Sequence, residues 1–197
     1  TVVLLRERAA GLEVLLTRRA AGMAFMGGFW VFPGGRMDPA DLAPELARRM
    51  DTATVTGAGG RMADAEGGTV GAEVARGLLA AACRETFEEA GVLLARPRNT
   101  GVGWCAERLA RVAARRAAVT SATAFAQLLE DEDLVLDVER LVYWAHWITP
   151  SFEQKRFDTR FFVLPVPADQ EASVDSGEAT QHAWFTAGEI RRLVNGG

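Results

Sequence analysis

Cysteine and histidine are scarce in this chain of 197 residues. Cys83 and Cys105 are the two cysteines, and His146 and His182 the two histidines. Neither pair has the close spacing of a structural zinc site, and two isolated thiols do not make a disulfide framework. Lysine is nearly missing as well: Lys155 stands alone, and arginine supplies the rest of the 22 basic residues. Against 26 acidic residues these leave a net charge of −4. That balance gives no long-range attraction to nucleic acid or to an anionic membrane surface. Long hydrophobic runs are also absent. The longest, 78–83 and 141–148, fall far short of the roughly 20 residues that span a bilayer. No leader pattern opens the sequence, so a cytoplasmic location, with no nucleic-acid or membrane partner, is the expectation.

Apolar residues are nonetheless plentiful. At 49% hydrophobic and 24% charged, the chain has enough apolar surface to offset its ordering entropy. Its length suits one domain, 1–197, with insertions at about 36–69 and 100–135. The stretches 2–5 and 12–17 predict a β-hairpin, with 6–11 as its turn. Residues 29–32 form a short aromatic strand stopped by Pro33-Gly34-Gly35. Asp38 as N-cap, Pro39 at the first helical position and Asp41 in the first turn predict a helix running to about Met50. The Gly-, Ala- and Thr-rich segment 52–69 reads as a loop. A strong helical period over 70–90 ends at Gly91, a left-handed cap. Helices are expected at 108–116 and 123–130, the second capped by Ser121. Buried strands are expected at 141–149 and 157–166, with the loop 150–156 between them. A last strand, 183–185, leads into a helix whose capping box begins at Thr186. The pattern is mixed α/β.

The chemistry concentrates in Arg84-Glu85-Thr86-Phe87-Glu88-Glu89-Ala90-Gly91-Val92. On a helix, Glu85, Glu88 and Glu89 share one face, while Leu79, Ala80, Cys83, Phe87 and Ala90 share the other. Three like charges at these spacings repel, and they lie near the negative end of the helix dipole. A hard divalent cation reverses both penalties, because carboxylate oxygens are what such ions bind.

These residues resemble the Nudix box, G-x5-E-x7-R-E-U-x-E-E-x-G-U. Arg84, Glu85, Glu88, Glu89, Gly91 and Val92 match it, and Gly35 supplies its first glycine. Three departures stand out. Thr86 replaces an aliphatic residue, an insertion parts Gly35 from Arg84, and the upstream Glu falls at Arg76, with Glu73 as a neighbouring substitute. The resemblance implies an α/β/α sandwich around a mixed β-sheet, with helical insertions. It implies hydrolysis of a nucleoside diphosphate linked to another moiety, X, using Mg²⁺ or Mn²⁺. Glu85, Glu88, Glu89 and the Gly35 carbonyl are then the metal ligands, and Arg84 orients a box carboxylate. The general base is Glu85 or a carboxylate of a later loop, Glu178 before Glu153.

A second resemblance concerns X. Leu15-Leu16-Thr17-Arg18-Arg19-Ala20, Gly28 and Phe32-Pro33-Gly34-Gly35 follow the coenzyme A pattern L-L-T-x-R-[SA]-x3-R-x3-G-x3-F-P-G-G, except that Ala24 replaces its internal Arg. Trp147-Ile148-Thr149-Pro150 and 156–162 are similar to the peroxisomal coenzyme A diphosphatase branch, which also carries an insertion in its box. The implied substrate is coenzyme A or an acyl-CoA. Gly34, Arg19, Arg36, Arg156 and Arg160 are the candidates for binding it, since arginine forks suit phosphates. ADP-ribose, NADH or another nucleotide diphosphate is the alternative X, and a non-catalytic nucleotide-binding module is the alternative class. Phe157, Phe161, Phe162 and Trp147 read as core rather than as an adenine shelf. The oligomeric state is left open, with a homodimer compatible.

Overall fold

The computed structural model describes residues 1–9, 11–99, 103–153, 155–174 and 179–195. Strands β1 (Val2–Arg8) and β2 (Gly11–Arg19) form the expected hairpin, each longer than the apolar runs predict. Strand β3 (Trp30–Val31) pairs with the far end of β2 and stops at Pro33, the proline having no N–H to continue a ladder. Strands β6 (Val142–Ile148), β7 (Asp158–Pro165) and β8 (Ala179–Thr186) complete the sheet. Its path runs β3–β2–β1–β7–β6, with β8 along the other side of β2. Only β1 and β7 are parallel, so the sheet is mixed. Strands β4 (Ala95–Pro97) and β5 (Leu134–Leu136) form a separate two-stranded ladder.

The dominant helix is α3, Ala72–Ala90. Gly91 ends it with a φ of 67°, a left-handed turn that costs glycine little. Leu79, Ala80, Cys83, Phe87 and Ala90 join Val2, Leu4, Leu15, Phe162 and Leu164 in one core. The box face of α3 is therefore turned away from the packed interior, which is what leaves its glutamates available. Thr86 is buried too. Its Oγ1 donates to the Ala82 carbonyl at 2.7 Å, which is how a hydroxyl is accommodated where an aliphatic residue is usual.

The insertion after Gly35 is more ordered than its composition suggests. The helix expected from Asp38 to Met50 is broken. A 3₁₀ turn, Pro39–Leu42, is followed by α1 (Pro44–Ala47), because Pro44 cannot donate into a continuing helix. The loop expected over 52–69 instead begins with a helix, α2 (Thr52–Gly59). Thr54 N–H donates to the Asp51 carboxylate at 2.7 Å, capping it, and Val55, Ala58 and Met62 are buried. Weak intrinsic propensity is overridden here by packing onto α3. Gly77 makes the docking close, since a side chain there would strike Leu42 and Met37.

In the second insertion, α4 (Ala106–Ala114) and α5 (Ala122–Asp131) match the expected helices, and Ser121 caps α5. The main sheet resumes with β6, which is not buried as expected. It is the last strand of the path, and Val142, Trp144 and Trp147 are exposed, Trp147 by 70%. Trp147 is thus not core. Phe162 is, Phe161 is half-buried against Trp147, and Phe157 is exposed. The closing helix, α6 (Ala187–Asn195), begins at the expected box: Thr186 N–H donates to Glu189 and Glu189 N–H to the Thr186 hydroxyl. Among the described residues no helix is long and apolar enough to cross a membrane.

Candidate active site

The glycine turn lies against the last two turns of α3. Gly34 N–H donates to Glu89 Oε2 at 2.8 Å. Gly35 faces the Glu85 carboxylate so closely that a methyl group in place of its hydrogen would overlap it. Five sequence-predicted residues, Gly34, Gly35, Glu85, Glu88 and Glu89, are therefore brought together with Arg84. The contact joins segments about fifty residues apart, and the insertion between them loops out without separating them.

Arg84 is the hub. Its Nη1 donates to Glu85 at 2.8 Å and to Glu88 at 3.2 Å. Its Nε and Nη2 each donate to Asp41, both at 2.9 Å, and Nη2 also donates to the Arg36 carbonyl at 3.2 Å. Burial alone would lower the guanidinium pKa. The Asp41 hydrogen bonds and the charges of Glu85, Asp41 and Glu88 outweigh it and hold Arg84 well above its ordinary value. Burial raises the carboxyls of Glu85 and Glu88, and the neighbouring Arg84 opposes that rise.

Asp41 was legible only as a first-turn acid, and the structure makes it half of a capping box with Asp38. Its Oδ2 accepts Asp38 N–H at 2.8 Å. No spacing rule connects it to Arg84, 43 residues later. Glu73, the neighbour considered for the missing upstream Glu, is exposed in the first turn of α3 and does not pair with Arg84. Arg116 is another residue the sequence did not single out. Its Nε and Nη2 donate to the Glu88 carbonyl at 3.2 and 2.9 Å, and its Nη1 donates to Ser173. A cation on the final carbonyls of α3 offsets the helix dipole where the glutamates crowd it.

Among the described residues, the side chains of the other predicted ones do not bond to this cluster. Arg36 is exposed and enters the cluster through its carbonyl. Arg19 Nε donates to the Phe25 carbonyl at 3.1 Å, and Arg156 Nε to the Thr149 carbonyl at 3.2 Å. The two loops touch through the Phe25 and Phe157 rings, 4.8 Å apart. Arg160 is not a rim residue: it is buried, and donates to Asp158 and to the Ala63 carbonyl. Glu153 is exposed on its loop. Glu178 lies outside the described residues.

Among the described residues no three acidic or histidine side chains already surround one point. Glu85 and Glu88 lean on Arg84, and Glu89 on the Gly34 amide. The donors still fit a hard cation. Glu88 Oε1 is buried with no hydrogen-bond partner, an orphaned lone pair that a cation would satisfy. All the available ligand atoms are oxygens, which suits Mg²⁺ or Mn²⁺ rather than a soft metal. Replacing Gly35 with alanine is expected to push Glu85 aside and lower turnover about a hundredfold, the usual cost of a misplacement near 1 Å. Steady-state kcat, with melting temperature alongside, checks this. A wild-type rate in Gly35→Ala would show that Glu85 need not sit against the turn.

A mixed sheet carrying this helix and glycine turn defines a Nudix hydrolase fold. The solved structure of a Nudix hydrolase from Alicyclobacillus acidocaldarius superposes with a TM-score of 0.71 at 27% identity, covering 100% of this chain and 82% of that one. Residues 5–196 match the NUDT19 Nudix domain, and the chain belongs to that family. Among curated relatives, the acyl-coenzyme A diphosphatase NUDT19 of Homo sapiens is 30% identical over 209 residues, and that of Xenopus laevis 28% over 217. The alignments cover 92% and 93% of this chain. The chain spans about half the length of these relatives, 55% in each case.

Proposed function

We propose that this chain is a metal-dependent Nudix pyrophosphohydrolase acting on coenzyme A or acyl-CoA. Water would cleave the phosphoanhydride to give 4′-phosphopantetheine, or its acyl form, and adenosine 3′,5′-bisphosphate. The observation that carries the hydrolytic reading is the contact of the Gly34-Gly35 turn with Glu89 and Glu85. The coenzyme A reading rests on the pattern from Leu15 to Gly35 and on the relatives' named substrate class.

Glu85, Glu88, Glu89 and the Gly35 carbonyl are the groups that would hold Mg²⁺ or Mn²⁺. Such an ion neutralises charge on anhydride oxygens and acidifies water. The chain's own residues then have distinct tasks. Arg84 holds Glu85 and Glu88 in fixed orientation through one nitrogen, which removes the freedom that would otherwise spread their charge over many rotamers. Glu85 is the proposed base: its carboxyl, raised by burial, accepts a proton from the attacking water as the bridging P–O bond breaks. Arg19, Arg36 and Arg156 present exposed or half-exposed guanidinium forks, and are the proposed contacts for the substrate's phosphates.

The test is a product panel. Incubation with Mg²⁺ or Mn²⁺ and a set of diphosphates is expected to release adenosine 3′,5′-bisphosphate from coenzyme A or an acyl-CoA. Hydrolysis of ADP-ribose or NADH but not coenzyme A would overturn the substrate and keep the chemistry. Tight binding with no product would overturn the enzyme reading.

A further inference from the structure

We propose that Asp41, inside the insertion, is a positioning residue for the hydrolytic site: it neutralises Arg84 so that the three glutamates keep their charge for a cation. This rests on the reading above. Arg84 is buried beside Glu85 and Glu88. Unopposed, its full positive charge would be shared by those two carboxylates and would compete with any divalent ion for them. Asp41 prevents that. It is completely buried, and both its oxygens take Arg84 donors, Nε and Nη2. A single nitrogen, Nη1, is left to touch both Glu85 and Glu88. In formal charge Asp41 cancels Arg84, and Glu85, Glu88 and Glu89 retain three negative charges.

The placement of Asp41 is built rather than incidental. Asp38 N–H donates to its Oδ2, the 3₁₀ turn Pro39–Leu42 fixes its backbone, and Gly77 lets that turn lie directly on α3. The insertion thus returns to the box the carboxylate that the motif lacks at Arg76. A segment that parts the two halves of the motif in sequence contributes a member of the site in space.

The experiment compares Asp41→Asn, the double variant Asp41→Asn/Arg84→Gln, and Leu46→Ala, which opens the buried core of α1 without touching the cluster. Binding of Mn²⁺ alone is read by electron paramagnetic resonance of the free ion, with circular dichroism and melting temperature alongside. Asp41→Asn is expected to weaken Mn²⁺ at least fivefold and to lower kcat at least tenfold, with KM for coenzyme A within twofold. Removing Arg84 as well deletes the competing cation, so Mn²⁺ affinity should return to within twofold of wild type while kcat stays low. Leu46→Ala should lower the melting temperature yet leave Mn²⁺ affinity and kcat within twofold at a temperature where it is folded. Wild-type Mn²⁺ affinity in Asp41→Asn would overturn the proposal. So would no recovery in the double variant, or equal losses in Leu46→Ala. If Asp41→Asn does not fold, the double variant, in which the Arg84 charge is removed together with its Asp41 partner, decides alone: Mn²⁺ affinity more than twofold below wild type overturns the proposal. If wild type hydrolyses no diphosphate, the functional reading fails and the Mn²⁺ comparisons still decide the role of Asp41.

Discussion

Glu88→Gln is expected to slow phosphoanhydride hydrolysis by about a hundred- to a thousandfold while leaving the metal-free protein folded. The size follows from the several kcal/mol that a correctly held ion contributes to charge stabilisation, at about 1.4 kcal/mol per decade of rate. Glu88 is the sharpest test of the three glutamates because its Oε1 is buried with no partner, a desolvation cost that Arg84, bonded to the other oxygen, offsets only in part. Stability should change by no more than about 1 kcal/mol. The variant loses one charge-assisted bond from Arg84 but also relieves a buried, desolvated carboxylate. Steady-state rates at saturating metal, with melting curves taken without metal, separate the two quantities. Wild-type turnover in Glu88→Gln would remove this residue from the site. A collapse of the apo melting curve would instead assign it to the fold.

The second large effect concerns stability. Phe87→Ala should cost about 3–5 kcal/mol, read as a fall in the urea midpoint with little change in slope. Phe87 is buried on the opposite face of the same helix turn, its ring 6.3 Å from that of Phe125. It joins α3 to α5, and so ties the second insertion to the box helix. Against a total stability of about 5–15 kcal/mol, a loss of this size leaves the protein marginal. A loss below about 1.5 kcal/mol would mean that the α3–α5 contact can collapse around the cavity. One helix thus carries two kinds of residue. Phe87 acts through packing and Glu88, its neighbour, through charge, and the two substitutions should move different observables.

Local patterns carried much of the fold. The apolar stripe from Leu79 to Ala90 required a buried face, and Gly91 required an end. Apolar runs marked β1, β2 and β7, while Ser121 and Thr186 marked helix starts through side-chain bonds to nearby amides. Composition misled where packing outweighs propensity. Thr52 to Gly59 has weak helix formers and became α2 because Val55, Ala58 and Met62 found a place against α3. Strand β6 is as apolar as a core strand, yet it ends the sheet and exposes Trp144 and Trp147, because neighbours along the chain do not report what covers a face.

The candidate site divides in the same way. Arg84, Glu85, Glu88 and Glu89 were determined by sequence alone, since helical spacing places them on one face whatever surrounds them. The resemblance implied that Gly35 meets those glutamates; that Gly34 N–H bonds Glu89, that Asp41 grips Arg84 across 43 residues, and that Arg116 caps the Glu88 carbonyl were decided only by tertiary structure. Spacing along a helix is set by covalent geometry and can be counted. A contact between distant segments exists only once the core has closed around α3 and fixed which surfaces meet.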